Sequence, residues 1–490
     1  MSPPRGVEPA TAAATTSQPN VVVILTDDQT LAQLDTMPST RRLIGGRGLT
    51  FTDAIAPYPL CCPSRATLLT GRYATNHGVT TNTTNRHATP ELEAAYLSIE
   101  RASMPISLQD AGYFTGFVGK YLNGYLPDPR TPAGWDDWRA VTHFETYQNT
   151  TLSDNGQPVE QPRYMTDVLA DETVAMIERA SALDRPFFVQ LSTYAPHSVS
   201  HGPTWAPRHA DLFRGVRAPR TPSFGEADTT DKRHPQPPLG RRTTAQIDRH
   251  WRSSLRSLQA VDEAVERVVD SLRATGELGN TMIVFTSDNG YFYGEHRFTH
   301  EKYLPYEPSI RVPWIVAGPM VPAEDRGETV DLPIAGIDLV PTILHYARAQ
   351  MPVSMDGVSL HHVLEGARPR AWAEDRHLLL YGRRTNGCSC APDYSGVRTT
   401  HWMYWTSQYG DELYYLDADP DELVNLADDP DHQPVVQELD SARRALLACA
   451  GATCGRPTDW RPWAAEPSGD PVVRRVEVAG ERPVLVHRPG

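Results

Sequence analysis

The sequence predicts an α/β protein: a mostly parallel sheet flanked by helices, followed by a smaller α+β unit that contains an antiparallel sheet. Three observations carry this. The strand candidates are short, near-continuous apolar runs, as in strands buried on both faces. Helical patterns lie between them, and the texture of the chain changes near residue 370. At 490 residues the chain exceeds an average single domain, and one large core with insertions plus a small second unit accounts for the length.

Taken in order, the strand candidates are "NVVVIL" (Asn20 to Leu25), "YFTGFV" (Tyr113 to Val118), "PFFVQLS" (Pro186 to Ser192), "TMIVFT" (Thr281 to Thr286) and "VPWIVA" (Val312 to Ala317). The clearest helix places Trp251, Leu255, Leu258, Val261, Val265, Val268 and Leu272 at three- and four-residue steps and stops at Gly276, just before a strand. Such alternation indicates a parallel sheet covered by helices. The stretch His201 to Arg242 is rich in Pro, Arg, Thr and His and has little periodicity, so it reads as a long surface insertion. Its basic end, "DKRHPQPPLGRR", is either a solvated loop or a contact for an anionic substrate. Past residue 370, "HLLLYG", "HWMYWT" and "ELYYLDADPDELVNL", then the helical "VVQELDSARRALLACA", predict a small antiparallel sheet with one helix. The expected organisation is a leader over 1–19, the main α/β domain over 20–368, a C-terminal domain over 369–465 and a peripheral tail over 466–490.

Composition excludes several classes. With 46 basic and 60 acidic residues the net charge is −14, so a general attraction to nucleic acid or to an anionic membrane is not expected. No apolar run approaches the ~18 residues of a membrane-spanning helix, and a soluble chain is expected. The N-terminus lacks the apolar stretch of a secretory signal. Six cysteines are too few for a disulfide scaffold. Cys388 with Cys390 and Cys449 with Cys454 lack the surrounding pattern of a zinc site; they leave both disulfides, hence export, and free loop thiols open.

Chemistry gathers where the strands end, as expected for open α/β sheets. The first strand candidate runs into Thr26-Asp27-Asp28-Gln29, the second into Gly119-Lys120, the third into Ala195-Pro196-His197 and the fourth into Ser287-Asp288-Asn289-Gly290. Two acidic or amide pairs in matching positions supply hard oxygen donors suited to Ca²⁺ or Mg²⁺. In "PLCCPSRATLLTGRY", Pro63 and Ser64 suit the first turn of a helix and Gly71 its end. Cys61 then lies just before a helix N-terminus that favours an anion, with Arg65 able to face it. On the residues alone this describes either a low-pKa thiolate or a buried cysteine pair.

The string C-x-P-S-R followed by "ATLLTGR" resembles the signature of the type I sulfatases, in which the first cysteine is converted to formylglycine. "VVVILTDDQ", "GYFTGFVGKYLNGY", "PFFVQLSTYAPHS", "TSDNGYFYGEH", "EKYLPYEPSIRVP" and "ELYYLDADPDELVNLADDP" fall in the family's order, from about residue 20 to 455. "CCPSRA", "GKYLN" and "CAGATCGRP" are most similar to the N-acetylglucosamine-6-sulfatase-like branch. The resemblance implies an alkaline-phosphatase-like domain and a smaller C-terminal domain. It makes Asp27, Asp28, Asp288 and Asn289, with Cys61, the ligands of Ca²⁺ (Mg²⁺ being possible), and Cys61 the formylglycine precursor. Arg65, Lys120, His197 and Lys302 match sulfate-binding and proton-transfer positions. Many sulfatases carry histidine where Leu122 stands here, so Asn123 or His77 is expected to assist, with His300 a further substrate contact. His296, Tyr164 and Asp167 are weaker candidates. Implied partners are a sulfated small molecule or glycan and the formylglycine-generating enzyme, with secretion or a periplasmic location favoured by the family. A phosphonate or phosphate ester hydrolase on the same fold, or a sulfated-glycan binder with unconverted Cys61, are the alternatives.

Overall fold

Successive residues of Asn20–Asp27 (β1) face two different cores: Val21, Val23 and Leu25 pack into one and Val22 and Ile24 into the other. This is why the strand is apolar without alternation. A computed structural model describes residues 18–82, 89–123, 131–142, 146–199, 204–299, 302–368, 372, 376–383 and 392–454. The remaining strands are Gly48–Phe51 (β2), Ala54–Ile55 (β3), Phe114–Gly119 (β4), Asp137–Val141 (β5), Thr150–Asp154 (β6), Gln157–Gln161 (β7), Phe187–Pro196 (β8), Thr281–Ser287 (β9), Trp314–Ala317 (β10), Thr329–Val330 (β11), Ile334–Ala335 (β12), Leu378–Gly382 (β13), Tyr394–Arg398 (β14), Trp402–Ser407 (β15) and Gly410–Tyr415 (β16).

Ten of these form one sheet in the order β11-β2-β10-β9-β1-β8-β4-β5-β6-β7. Its centre is parallel, with β1 between β8 and β9 and β4 between β8 and β5. The carboxyl ends of β1, β4, β8 and β9 therefore share one edge. Strand β10 joins antiparallel to β9 and β2, and β5, β6 and β7 form an antiparallel meander.

The helix read from Trp251 to Leu272 spans Arg241–Ala274, so it takes in Arg241 and Arg242, the last two residues assigned to the insertion. Leu258, Val261, Val265, Val268 and Leu272 cover one face of the sheet, and Ile247, Trp251 and Leu255 pack with Tyr291 and Tyr293. Among the described residues no helix is long and apolar enough to cross a membrane.

Strands β13 to β16 form an antiparallel sheet, and the helix Gln433–Ala448 packs on it. Its core is continuous with the loops beyond β9, since Phe292, Phe298 and Tyr306 pack among Leu379, Val397, Trp405 and Tyr414. Charged groups cross the same seam. Arg398 bonds Asp53 at 2.7 Å and Glu307 at 2.9 Å, all three buried. In the insertion's basic end Lys232 and Arg233 turn inward while Arg241 and Arg242 are exposed: Lys232 bonds the Leu423 carbonyl at 2.8 Å, and Arg233 reaches Glu412 through its backbone N–H at 2.6 Å and Asp428 at 2.6 Å. These two cations hold the second sheet. Cys449 and Cys454 form a disulfide, and Asn76 donates to the Cys449 carbonyl at 3.0 Å. Cys388 and Cys390 lie outside the described residues.

Replacing Arg398 by Leu would leave Asp53 buried without its bonded cation and Glu307 with Arg311 alone. The expected loss is about 3–5 kcal/mol, because an uncompensated buried charge is costlier than a missing pair. Urea unfolding followed by tryptophan fluorescence measures it, and a loss under about 1 kcal/mol would show that the seam carries little of the stability.

Candidate active site

The helix Cys61–Thr70 begins at Cys61 itself, one position earlier than the sequence suggested, with Leu60 as the residue before it. Gly71 ends it in the left-handed region at φ +65, its N–H donating to the Thr67 carbonyl at 2.8 Å. Cys61 is 1% exposed. Its thiol donates to Asp27 Oδ1 at 3.4 Å and receives Lys302 Nζ at 3.0 Å. Burial, with Asp27 adding to it, pushes the thiol up to about 12 in spite of Lys120 and Lys302. In the metal-free protein this is the buried cysteine of the two sequence readings; the helix N-terminus does not outweigh desolvation and a neighbouring carboxylate.

The strand ends deliver the rest. Asp27 closes β1, fully buried, and its Oδ2 receives Lys120 Nζ and faces Arg65 Nη2 at 3.7 Å. Burial resists its ionisation, yet Lys120, His197, Arg65 and Lys302 hold the carboxyl well below the usual range. Asp28 sits at φ +68, a conformation that costs a non-glycine residue about 1 kcal/mol and persists where neighbours over-determine it. Here its N–H donates to Asp288 Oδ1 at 3.2 Å, and its Oδ1 receives Asn289 Nδ2 at 2.7 Å and Lys302 Nζ. Arg65 donates through Nε to Asp288 at 2.8 Å and through Nη1 to the Lys120 carbonyl and Ser192 Oγ, both at 2.7 Å. Gly119 permits the approach of Lys120 to β8: at φ +115, a Cβ there would lie 1.9 Å from the Ser192 carbonyl oxygen.

His197 follows β8. Its Nδ1 lies 2.5 Å from the Ser198 carbonyl, so that nitrogen carries the proton, and Nε2 faces Asp28 Oδ2 at 3.6 Å. Burial lowers its pKa against the pull of Asp28 and Asp27. Its ring packs on Tyr194 at 4.7 Å, and the same tyrosine lies 5.0 Å beneath Lys120 Nζ.

Asp27, Asp28, Cys61 and His197 present ligand atoms within 4.8 Å of one another. Two further features fit a hard divalent cation. Asn289 Oδ1 is buried with no hydrogen-bond partner, and the carboxylates of Asp27 and Asp28 are held by the ammonium groups of Lys120 and Lys302, where a cation's charge belongs.

Not every expected residue joins this cluster. His77 is buried elsewhere: its Nδ1 accepts from the Val79 N–H at 3.1 Å and Nε2 meets Thr67 Oγ1 at 3.1 Å, and burial together with Arg72 lowers it to about 3. It braces the turn after the Cys61 helix. The Asn123 carbonyl accepts from Tyr96 OH, which also meets Cys62 Sγ at 2.9 Å, while Asn123 Oδ1 is buried without a partner. His300 lies outside the described residues. His296 is buried against Glu226 at 2.8 Å, Tyr164 donates to the Thr204 carbonyl at 2.7 Å, and Asp167 pairs with Arg208. Sequence reading missed Ser192, although it ends an expected strand on the same edge, and Tyr194, although both lie within "PFFVQLSTYAPHS".

The chain is also similar to known proteins. The family model "Sulfatase" matches residues 19–349, and "N-sulphoglucosamine sulphohydrolase, C-terminal" matches residues 294–447. The N-acetylglucosamine-6-sulfatase of Homo sapiens is 35% identical over 92% of this chain and 88% of its own length, and that of Capra hircus is 34% identical over 92% and 87%. A solved structure in complex with its substrate, D-glucosamine-2-N,6-O-disulfate, superposes with a TM-score of 0.73 at 23% identity, over 87% of this chain and 97% of that one.

Proposed function

The chain belongs to the sulfatase family and is a sulfuric ester hydrolase, and from that premise we propose that it cleaves a sulfate monoester on a sulfated sugar such as 6-sulfated N-acetylglucosamine, using formylglycine made from Cys61 and Ca²⁺. The observation that carries this reading is the meeting of Asp27 and Lys302 on Cys61 Sγ at the start of a helix. The relatives named N-acetylglucosamine-6-sulfatase support the substrate class.

Ca²⁺ held by Asp27, Asp28, Asp288 and Asn289, with Mg²⁺ meeting the same donors, would add positive charge where sulfate oxygens gain it, and formylglycine at position 61 would supply a hydroxyl as nucleophile. The chain's own groups do the rest. A sulfate ester is already an anion, and Lys120, Lys302 and Arg65 offset its repulsion of the nucleophile with fixed charges that need no reorganisation. Lys302 reaches position 61, with Nζ 3.0 Å from Cys61 Sγ, where its charge would steady a nucleophilic oxygen carried there. Asp288 orients Arg65 through Nε, and Ser192 with the Lys120 carbonyl fixes its Nη1. His197 presents Nε2 to the leaving oxygen; with Nδ1–H bonded to the Ser198 carbonyl, the proton for the departing alcohol travels through Nε2. Water enters and the alcohol and sulfate leave, so the balance is that of hydrolysis.

The test combines the mass of the Cys61 peptide, from protein produced with the formylglycine-generating enzyme, with sulfate release from N-acetylglucosamine 6-sulfate. An aldehyde-mass peptide and Ca²⁺-dependent release are expected. Faster cleavage of an aryl phosphate than of an aryl sulfate would favour a phosphate or phosphonate esterase. A cysteine that stays unconverted under those conditions, with glycan bound and uncut, would favour a binding protein.

Burial and Asp27 raise Asp288 to about 6 in the metal-free protein. Protons therefore compete with the cation as pH falls through that value. The gain in thermal midpoint from added Ca²⁺ is expected to be full at pH 8 and to shrink below about pH 6. A gain that stays constant down to pH 5 would remove Asp288 from the ligand set.

A further inference from the structure

A second cavity, of about 330 Å³, opens where residues 30–32 meet the segment after Asn289, the insertion and residues 420–422. One wall is aromatic. The Tyr293 ring lies 4.8 Å from Trp251 and 5.1 Å from Tyr291, and all three are buried apart from the cavity. The other wall is acidic. Glu422 is 0% exposed; its Oε2 accepts from the Glu307 N–H at 2.9 Å, but its Oε1 has no hydrogen-bond partner. Glu295 accepts the Tyr293 N–H at 2.6 Å, and Asp421 accepts the Ser223 hydroxyl at 3.1 Å.

The arginines nearby are already engaged, and His296, bonded through Nδ1 to Glu226 at 2.8 Å and lowered by burial, stands with Nε2 4.0 Å from Glu422 Oε2. Arg311 pairs with Glu307 at 3.2 Å and bonds the Thr52 carbonyl at 2.7 Å. Arg220 bonds both oxygens of Asp248, at 2.7 and 2.8 Å, and lies over the Phe224 ring. The cavity thus gathers carboxyl groups around a buried oxygen, Glu422 Oε1, that has no partner. Burial, with Glu307 adding to it, pushes Glu422 well above the usual carboxylate range, so the cavity alone holds it as the acid and a cation placed there would favour its ionised form. A metal ion is a poor fit: among the described residues, no three of these carboxylates bring their oxygens within 4.8 Å of one another. A larger cation can span carboxylates that are further apart, and its carbon skeleton suits an aromatic wall.

We propose that this cavity binds an organic ammonium ion, with its N–H groups on Glu422 and Glu295 and its skeleton against Trp251, Tyr291 and Tyr293. This lies beyond ester hydrolysis and does not depend on it. The site also has a pH signature. Burial, with Asp421 adding to it and Arg220 opposing, raises Glu295 to about 7. Around it stand Asp421 and Glu422, Arg220 and its partner Asp248, Glu307 with Arg311, and His296 beside Glu422; His250 of the long helix packs edge-on against Tyr291 at 5.2 Å. An ammonium ion favours the ionised carboxylate, so binding strengthens from pH 6 to pH 8.

Calorimetric titration of the full chain with glucosamine hydrochloride, spermidine, N-acetylglucosamine and calcium chloride tests this. At least one amine is expected to bind about tenfold tighter than N-acetylglucosamine at pH 8, and to weaken about threefold or more at pH 6. Glu422→Gln and Asp421→Asn are each expected to weaken it about fivefold while aryl sulfate hydrolysis stays unchanged. Preference for glucosamine identifies a sugar amine as the source, and preference for spermidine a polyamine. Because Glu422 is a core residue, Asp421→Asn carries the test if Glu422→Gln does not fold. Equal affinity for the amines and N-acetylglucosamine, displacement of the amine by calcium, or unaltered binding in the folded variants would overturn the proposal.

Discussion

Cys61→Ala is expected to lower sulfate release by on the order of 10⁵-fold while changing stability by about 1 kcal/mol or less. The asymmetry follows from what the side chain touches. Its sulfur makes two long contacts, to Asp27 and Lys302, and both partners keep other charged neighbours when it is removed: Asp27 retains Lys120 and Arg65, and Lys302 retains Asp28. The ion cluster therefore stays paired and the fold has little to lose. The reaction loses its nucleophile, and the other groups provide only binding and charge. Residual activity within about tenfold of the parent would show that another group attacks the sulfur.

Asp27→Asn should cost nearly as much activity, on the order of 10³-fold, and unlike the change at Cys61 should also cost stability. Asp27, Asp28 and Asp288 stand against Arg65, Lys120 and Lys302 in a buried cluster of matched charge. Removing one carboxylate leaves Lys120 facing an amide, and about 3 kcal/mol is expected to be lost in chelator-treated protein. Added Ca²⁺ should no longer raise the thermal midpoint. Activity within about tenfold of the parent, with a normal response to Ca²⁺, would place the metal elsewhere.

Much of this was legible because two kinds of signal coincided. β1, β8, β4 and β9 send alternate residues into two cores, and strands of that kind announce themselves as unbroken apolar runs. Their polar ends then named Asp27, Asp28, Lys120, His197, Asp288 and Asn289 before any geometry was known. β7 was missed for the opposite reason: "QPVEQ" is exposed along its first four residues and has no apolar pattern to read. Lys232 and Arg233 were ambiguous because their partners, Leu423, Glu412 and Asp428, lie far along the chain, and a basic loop looks the same whether it faces water or a neighbouring sheet. His77 shows the limit of nearness in sequence. It lies shortly after the Cys61 helix, yet its ring turns to its own turn and to Thr67.

The pairing of β1 also sets an order in time. Neither neighbour of β1 exists until β8 and then β9 have been synthesised, so for most of the chain's emergence from the ribosome Asp27 and Cys61 lie on a strand and a helix with nothing to close over them. In the folded chain Cys61 is 1% exposed, and its sulfur meets Lys302, which follows β9 in the sequence. If Cys61 is converted to formylglycine as proposed, an enzyme that grasps the "CCPSR" segment would have to reach it before that burial is complete.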